Sequence, residues 1–370
     1  MPSKKIHLIA AARPNFMKIA PLYHALKKRD WAAPEIVHTG QHYDVNMSDA
    51  FFQDLMLPEP HHHLGIGSGS HAEQTGRVMM AYEKLLVEKR PDMVVVVGDV
   101  NSTVACTLAA VKMNGNRPLV AHLEAGLRSF DRTMPEEINR IVTDSIADIL
   151  WTPSPDGDEN LLKEGVSAQK IERVGNIMID SLEMLRARIE REDALSTYGV
   201  QKRGYGLVTL HRPANVDDKK TLESLCAALV RVSKDLPLVF PVHPRTRKNL
   251  EKHELLETLR HAPGLHLDQP IGYVTFMNLV FNCRLIITDS GGIQEESTYL
   301  GIPCLTLRPN TERPITIAEG TNRLCTVDAL VTCVVDIMGA EGQGARKPAL
   351  WDGKTAERVA DSIQRRLGDG

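Results

Sequence analysis

A chain of 370 residues is longer than one core usually organises, so two domains are expected, each able to bury a substantial apolar interior. With 44 basic against 47 acidic residues and a net charge of -3, no global positive field can hold nucleic acid or an anionic membrane, and phosphate recognition must be local. The six cysteines show no CxxC spacing and read as reduced core thiols, while the first apolar run is interrupted by Arg13 and Pro14, so no signal peptide or membrane span is expected and the location reads as cytoplasmic.

From the N-terminus, short apolar runs at Ile6 to Ala12, Ile36 to Thr39, Met93 to Val97 and Pro118 to His122 alternate with longer amphipathic segments. Those segments are Met17 to Lys28, Thr103 to Met113 and Pro135 to Asp148. This alternation predicts an α/β fold with a doubly wound parallel sheet. MVVVV at 93 to 97 has no polar alternation, as a central parallel strand covered on both faces requires. After WTPSP and KIERVGN the stretch MIDSLEMLRARIERE reads as a connecting helix, and the alternation restarts with GLVTL, LESLCAALVRVSKD, LVFPVH, TFMNLVFN, RLIITDS and IPCLTL. The expected division is residues 1–174 and 175–354, with the helix-like segment within 355–370 crossing back to the first domain.

Ligands of open α/β sheets bind beyond the carboxyl ends of the strands, so the segments following each apolar run are the candidates. They supply Arg13 and Lys18, the GQHYD segment, Asp99, Glu124 and Arg128 in the first half, then HRPAN, HPRT and DSGG in the second. Asp99 reads either as a cap on a helix from Thr103 or as a carboxylate on a cleft floor. In PEEINR, Pro135 suits a first helical turn, and Glu136 and Arg140 share a face at i,i+4. Glu136 is there either a dipole partner in a solvated ion pair or an acid/base group tuned by Arg140. Glu137, about 100° around the axis, faces elsewhere. Arg13, Arg212, Arg245 and Arg313 are cations that could oppose a diphosphate, and the DSGG turn opening a helix could receive it. No GxxxxGK[ST] or GxGxxG pattern is present. The run HHH at 61 to 63 invites a metal reading, but successive side chains diverge and no nearby Cys or helix-spaced His completes a set, so no metal is expected.

Taken in order, ARPNFMKIAPL, GQHYD, VVVGDVNST, HLEAGLRS, MPEEINR, GNIMIDSL, HRPAN, PVHPRT, TDSGGIQEES, GIPCLTLR and TERPITIAEGTNRL span nearly the whole chain. They resemble the non-hydrolysing UDP-N-acetylglucosamine 2-epimerases. The resemblance implies two Rossmann-like domains facing a cleft, a glycosyltransferase-B-like arrangement with parallel sheets, and a homodimer serving polysaccharide biosynthesis. It implies a UDP-activated 2-acetamido sugar as ligand and no cofactor. By the same resemblance Asp99, Glu124 and Glu136 are the essential carboxylates, and His211 sits near the diphosphate. Arg13 and Lys18 match first-loop cations, Arg140 the arginine beside Glu136, and Arg313 the TERP arginine. His243, Ser290, Gly291, Gly292 and Glu296 match the UDP site, and Phe276 the position near uracil.

The sequence departs from the family pattern at Asn15, where many members carry Glu, and at HRPAN. Gln41 and His42 persist from a segment that binds a second UDP-sugar in some members, but Asp44 and the absence of a matching arginine put substrate activation in doubt. A hydrolysing 2-epimerase would use the same carboxylates. A retaining glycosyltransferase would share the DSGG solution but not LEAGLR with PEEINR. A non-catalytic nucleotide-sugar sensor would not need three such carboxylates.

Overall fold

The computed structural model describes residues 3–40, 54–340 and 346–368. The chain forms two compact units, one from Met1–Met184 with Ala349–Gly370 and one from Leu185–Pro348.

The first unit carries seven parallel strands. They are β1 (Lys4–Ala10), β2 (Ala32–His38), β3 (His62–His63), β4 (Met93–Val97), β5 (Leu119–Leu123), β6 (Ile149–Thr152) and β7 (Ile171–Arg173). Their order is β3-β2-β1-β4-β5-β6-β7, so the chain starts in the middle and reverses direction between β1 and β4. That reversal opens a crevice beyond the carboxyl ends of β1 and β4, where such sheets bind ligands. All five residues of β4 are buried, as its uninterrupted apolar run requires.

The helix after β1 covers Arg13–Lys27 and so begins earlier than Met17: Pro14 lies in its first turn, where the missing N–H costs nothing. The helix after β4 likewise begins at Asn101, ahead of the expected Thr103.

The second unit repeats the plan with β8 (Gly206–Thr209), β9 (Leu238–Pro241), β10 (Leu265–Asp268), β11 (Leu285–Thr288), β12 (Cys304–Thr306) and β13 (Asn322–Leu324). The order β10-β9-β8-β11-β12-β13 places its switch point between β8 and β11. Leu222, Leu225, Leu229 and Val232 of the helix Lys219–Val232 pack with Leu238, Phe240 and Ile287 of the sheet in one buried core. All six cysteines are buried.

The sequence placed the division at 174/175, whereas the units part within the helix Ile177–Arg191, between Met184 and Leu185. Hydrogen bonds account for the difference. Ser181 donates to Met17 O and Asp180 accepts from Ala356 N at 2.7 Å, fastening the helix start to the first unit. Asn278 donates to Ile189 O at 2.8 Å and to Glu192 O at 2.9 Å, fastening its end to the second. The chain rejoins the first unit from Ala349 rather than 355, because Trp351 is buried and donates to Pro153 O at 3.0 Å. The terminal helix Thr355–Gly368 buries Val359, Ala360 and Ile363, and its Ser362 accepts from Trp151 Nε1 at 3.0 Å. No helix among the described residues is long and apolar enough to cross a membrane.

Candidate active site

At the switch point of the first sheet the chain leaves β4 through Gly98, whose φ of +64° lies in the left-handed region. A Cβ there would stand 2.9 Å from Lys18 Nζ and 3.3 Å from Glu124 Oε2, so the missing side chain makes room for that ion pair. Lys18 comes from the first helix and Glu124 from the end of β5, and both are buried. Glu124 itself is held at φ +75°, with its N–H donated to Trp151 O at 3.1 Å. Backbone strain of this kind in a non-glycine residue is concentrated at functional sites.

Asn15 ties the two sides of the crevice together. Its Oδ1 accepts from Ala12 N at 3.0 Å and its Nδ2 donates to Val97 O at 3.0 Å, a donation that a carboxylate at this position could not make.

Asp99 follows directly and its side chain is 34% exposed. The next helix is flanked by Val100 and has no side-chain cap, which rules out the capping reading of Asp99. Its carboxylate pairs instead with Arg140.

The expected i,i+4 pairing of Glu136 with Arg140 is corrected. Arg140 bonds Glu137 through Nε at 3.0 Å and a terminal nitrogen at 2.7 Å, and its other terminal nitrogen reaches Asp99. Glu137, fully buried, also accepts from Ser129 N at 3.0 Å and Phe130 N at 2.8 Å, so it clamps the loop after β5 to this helix. Burial pushes its carboxyl upward, but these donors and Arg140 leave it below the usual range. Glu136, half-buried, has no hydrogen-bond or salt-bridge partner among the described residues. The helix therefore splits the two adjacent acids, one buried in structure and one left partly exposed.

Beneath lies a buried polar brace. His122 bonds Gly98 O at 2.9 Å and Asp144 at 2.5 Å; Asp144 also accepts from Gly126 N at 3.0 Å and from Arg128 at 2.7 Å. Arg128, a strand-end cation in the sequence, is buried here and paired with Asp144 and Glu164. Burial opposes the charge on Asp144, and His122 and Arg128 outweigh it, leaving its pKa lowered. The brace fixes the Gly98 carbonyl and the loop carrying Glu124.

The second sheet has its own site at its own switch point. Asp289, fully buried after β11, accepts from His211 N at 3.1 Å, Arg212 N at 2.9 Å and Asn215 Nδ2 at 3.0 Å, and stands 3.1 Å from His211 Nδ1. It thereby aims the half-exposed His211 ring, which lies 5.3 Å from the His243 ring between centroids. His243 flanks the helix Pro244–Lys252 and accepts from Arg245 N at 3.2 Å; burial first, then His211, lowers its pKa. Arg245 itself is turned to Asp217 at 2.8 Å.

Ser290 precedes the helix Gly291–Leu300, whose first turn has no side-chain cap and so keeps free N–H groups for an anion. At Gly291 a Cβ would stand 2.8 Å from an Arg313 terminal nitrogen and 3.0 Å from Glu312 Oε1, both ends of flexible side chains, so an added methyl would displace that ion pair. At Gly292 nothing lies within 4 Å, which leaves the backbone open.

Arg313 pairs with Glu295 at 2.9 Å and with Glu312 at 2.8 Å. Glu312 would be pushed up by burial, but Arg313 and Arg308 hold it at about 2. Glu296, also buried, accepts from Tyr273 Oη at 2.7 Å; burial raises it to about 7 against that hydrogen bond, with Glu295 adding to the rise. Phe276 lies half-buried in the helix Tyr273–Asn282 that also carries Tyr273.

Of the remaining candidates, Arg13 opens its helix but its side chain lies outside the described residues, as do Gln41 and His42 entirely. The structure brings together Asp99, Glu124, Lys18 and Arg140 in the first unit, and His211, His243, Ser290, Gly291, Glu296 and Arg313 in the second. Sequence reading missed Asn15 as a tie across β1 and β4, Glu137 as a clamp and Asp289 as the anchor of His211. Each has a plain local reading, and nothing local in the sequence signals the distant partner. The histidine run does diverge: His61 accepts from Ile36 N at 3.0 Å and His63 meets His38 at 3.3 Å. β1 and β2 place His7 and Glu35 beside His62, a neighbourhood that the local spacing of the histidine run does not show.

The sequence profile of UDP-N-acetylglucosamine 2-epimerase matches residues 24–364. A UDP-N-acetylglucosamine 2-epimerase of Methanocaldococcus jannaschii is 41% identical over 364 residues, covering 96% of this chain and 97% of that protein. A UDP-2,3-diacetamido-2,3-dideoxy-D-glucuronate 2-epimerase of Pseudomonas aeruginosa is also 41% identical, over 86% of this chain and 88% of its own. The crystal structure of the M. jannaschii UDP-GlcNAc 2-epimerase in complex with UDP-GlcNAc and UDP superposes with a TM-score of 0.88 at 39% identity, over 98% of this chain and 99% of that one. With the profile matching residues 24–364 and a relative 41% identical over nearly the whole of both chains, the chain belongs to the UDP-N-acetylglucosamine 2-epimerase family.

Proposed function

We propose that the chain is a non-hydrolysing 2-epimerase that interconverts UDP-N-acetylglucosamine and UDP-N-acetylmannosamine. The observation that carries this reading is Asp99: a carboxylate at the first switch point, accessible, bonded to Arg140 and free of any capping duty. In the reaction the C1–O bond breaks with its electron pair going to UDP. The C2–H pair becomes the C1=C2 bond of 2-acetamidoglucal, and a carboxylate takes the proton. Reprotonation from the opposite face and re-addition of UDP at C1 complete the turnover.

The C2 proton is weakly acidic, so bond breaking at C1 runs ahead and nearby negative charge stabilises the positive character that develops. Asp99, Glu124 and Glu136 supply that charge and the two acid/base groups needed for opposite faces. Lys18 and Arg140 hold the first two in place, and Arg13 joins them as a first-loop cation.

In the second unit the open N–H groups at Ser290, Gly291 and Gly292 receive the diphosphate, and His211, held by Asp289, assists its departure. His243 and Arg313 line that site, Glu296 accepts from the ribose hydroxyls and Phe276 adjoins the uracil. The first unit is thus the catalytic one and the second the UDP-binding one. The enzyme works as a cytoplasmic homodimer, its assembly readable by sedimentation, and supplies polysaccharide biosynthesis.

The test is incubation with UDP-GlcNAc in D₂O followed by NMR. Deuterium at C2 of both UDP-sugars without free ManNAc is expected; accumulation of ManNAc and UDP would instead identify a hydrolysing enzyme. The 41% identity to the P. aeruginosa enzyme supports a second substrate reading, a UDP-2,3-diacetamido uronic acid. Exchange with that sugar and none with UDP-GlcNAc would move the assignment to it.

A further inference from the structure

The β1–β2 register sets His7 opposite Glu35, and the β2–β3 register sets Val37 opposite His62. Side chains alternate faces along a strand, so Glu35 and Val37 share a face, and His7 and His62 share it with them. Sequence positions 7, 35 and 62 thereby converge, and their ligand atoms all lie within 4.8 Å of one another. Glu35 Oε2 is 2.8 Å from His62 Nε2 and 3.4 Å from His7 Nε2. Ligand atoms of a tetrahedral zinc ion, with bonds of about 2.0–2.2 Å, stand about 3.3 Å apart, so the three need move little to surround one.

His7 is fully buried, and its Nε2, which points into this cluster, makes no well-aligned hydrogen bond, its contact there being Glu35 Oε2 at 3.4 Å. Its Nδ1 bonds Tyr82 Oη at 3.1 Å, the outer contact that orients a ligating imidazole. Glu35 and His62 are 22% and 16% exposed, which leaves a path for an ion and a water. His61 and His63 are engaged with Ile36 N and His38.

We propose that His7, Glu35 and His62 form a binding site for a divalent first-row transition metal, zinc by ligand chemistry, with water as fourth ligand. The ligands lie within the strands, whereas the carboxylates of the active site lie beyond strand ends, so the ion is structural. It pins the two-residue edge strand β3 to the sheet.

Tag-free full-length protein, stripped with EDTA, is titrated with Zn²⁺ by calorimetry and with Co²⁺ by visible absorption. One ion per chain, a tetrahedral Co²⁺ spectrum and a zinc-dependent rise in Tm are expected. Glu35→Gln and His62→Ala, both at partly exposed positions, should each weaken binding at least about 10-fold, and Tyr82→Phe, acting through His7, about 10-fold. His261→Ala, at an exposed site, should leave binding unchanged. No saturable binding would leave only a His–Glu ion pair and overturn the proposal. So would a stoichiometric ion whose affinity survives both Glu35→Gln and His62→Ala.

Discussion

Gly98→Ala separates the cost of backbone conformation from the cost to the site. An alanine at φ +64° costs about 1–2 kcal/mol relative to its preferred regions. Reduced freedom of the unfolded chain returns about 0.4–1 kcal/mol, so the net loss of stability is on the order of 1 kcal/mol. The new methyl would also stand 2.9 Å from Lys18 Nζ and 3.3 Å from Glu124 Oε2. Nζ is the tip of a flexible side chain, so the collision is relieved by moving Lys18 off Glu124 rather than by moving the sheet. Misplacing a positioned group by about an ångström costs about 10²-fold in rate. The expected variant is therefore folded, about 1 kcal/mol less stable in urea denaturation, and about 10²-fold slower in C2 exchange. Gly115→Ala supplies the control: φ is +80° with nothing within 4 Å, so it should show the same stability loss at full activity. Wild-type turnover by Gly98→Ala would refute the claim that the absent Cβ serves the Lys18–Glu124 pair.

Adjacent acids should respond oppositely. Glu137→Ala leaves Arg140 and two backbone donors without their buried acceptor, and a loss of about 3–5 kcal/mol in unfolding free energy is expected. Glu136→Gln should keep the wild-type Tm and lose at least about 10²-fold in turnover; an active Glu136→Gln enzyme would remove it from the acid/base set. Asp99→Asn should likewise lose at least about 10²-fold in kcat, and a rate near wild type would leave it only a partner for Arg140. Glu296 gives a pH signature. Raised from 4.5 to about 7, it holds its proton in the native state where the unfolded chain has lost it, so stability falls as pH rises through that window. The size is about 3 kcal/mol at 1.36 kcal/mol per unit. Glu296→Gln should flatten this slope in urea titrations at pH 5 and 7.5, and an unchanged slope would mean that Glu296 is not the source.

Much of the fold was legible because apolar runs without polar alternation, such as MVVVV, have few places to go other than a covered parallel strand. The first helix starts at Arg13 ahead of Met17, since Pro14 resembles a boundary and is in fact a first-turn residue, and the helix after β4 starts at Asn101 ahead of Thr103. Strand-end residues were legible as a class, because ligands of this fold bind there. Their pairings were not: the i,i+4 rule favoured Glu136 for Arg140, yet the buried acceptor is Glu137, which two backbone N–H groups already hold in place.

Taken alone, the sequence determined the alternation of elements, the two-unit organisation and the ordered motifs that mark the family, all properties of local pattern. Tertiary structure decided which partners those residues meet. Asp289 under His211, Asn15 across β1 and β4, Arg128 withdrawn into the brace, and His7 and Glu35 beside His62 all join positions far apart in the chain. The physical reason is register: parallel strands joined by helical crossovers set which distant side chains share a face and an end of the sheet. Local periodicity carries no record of that alignment.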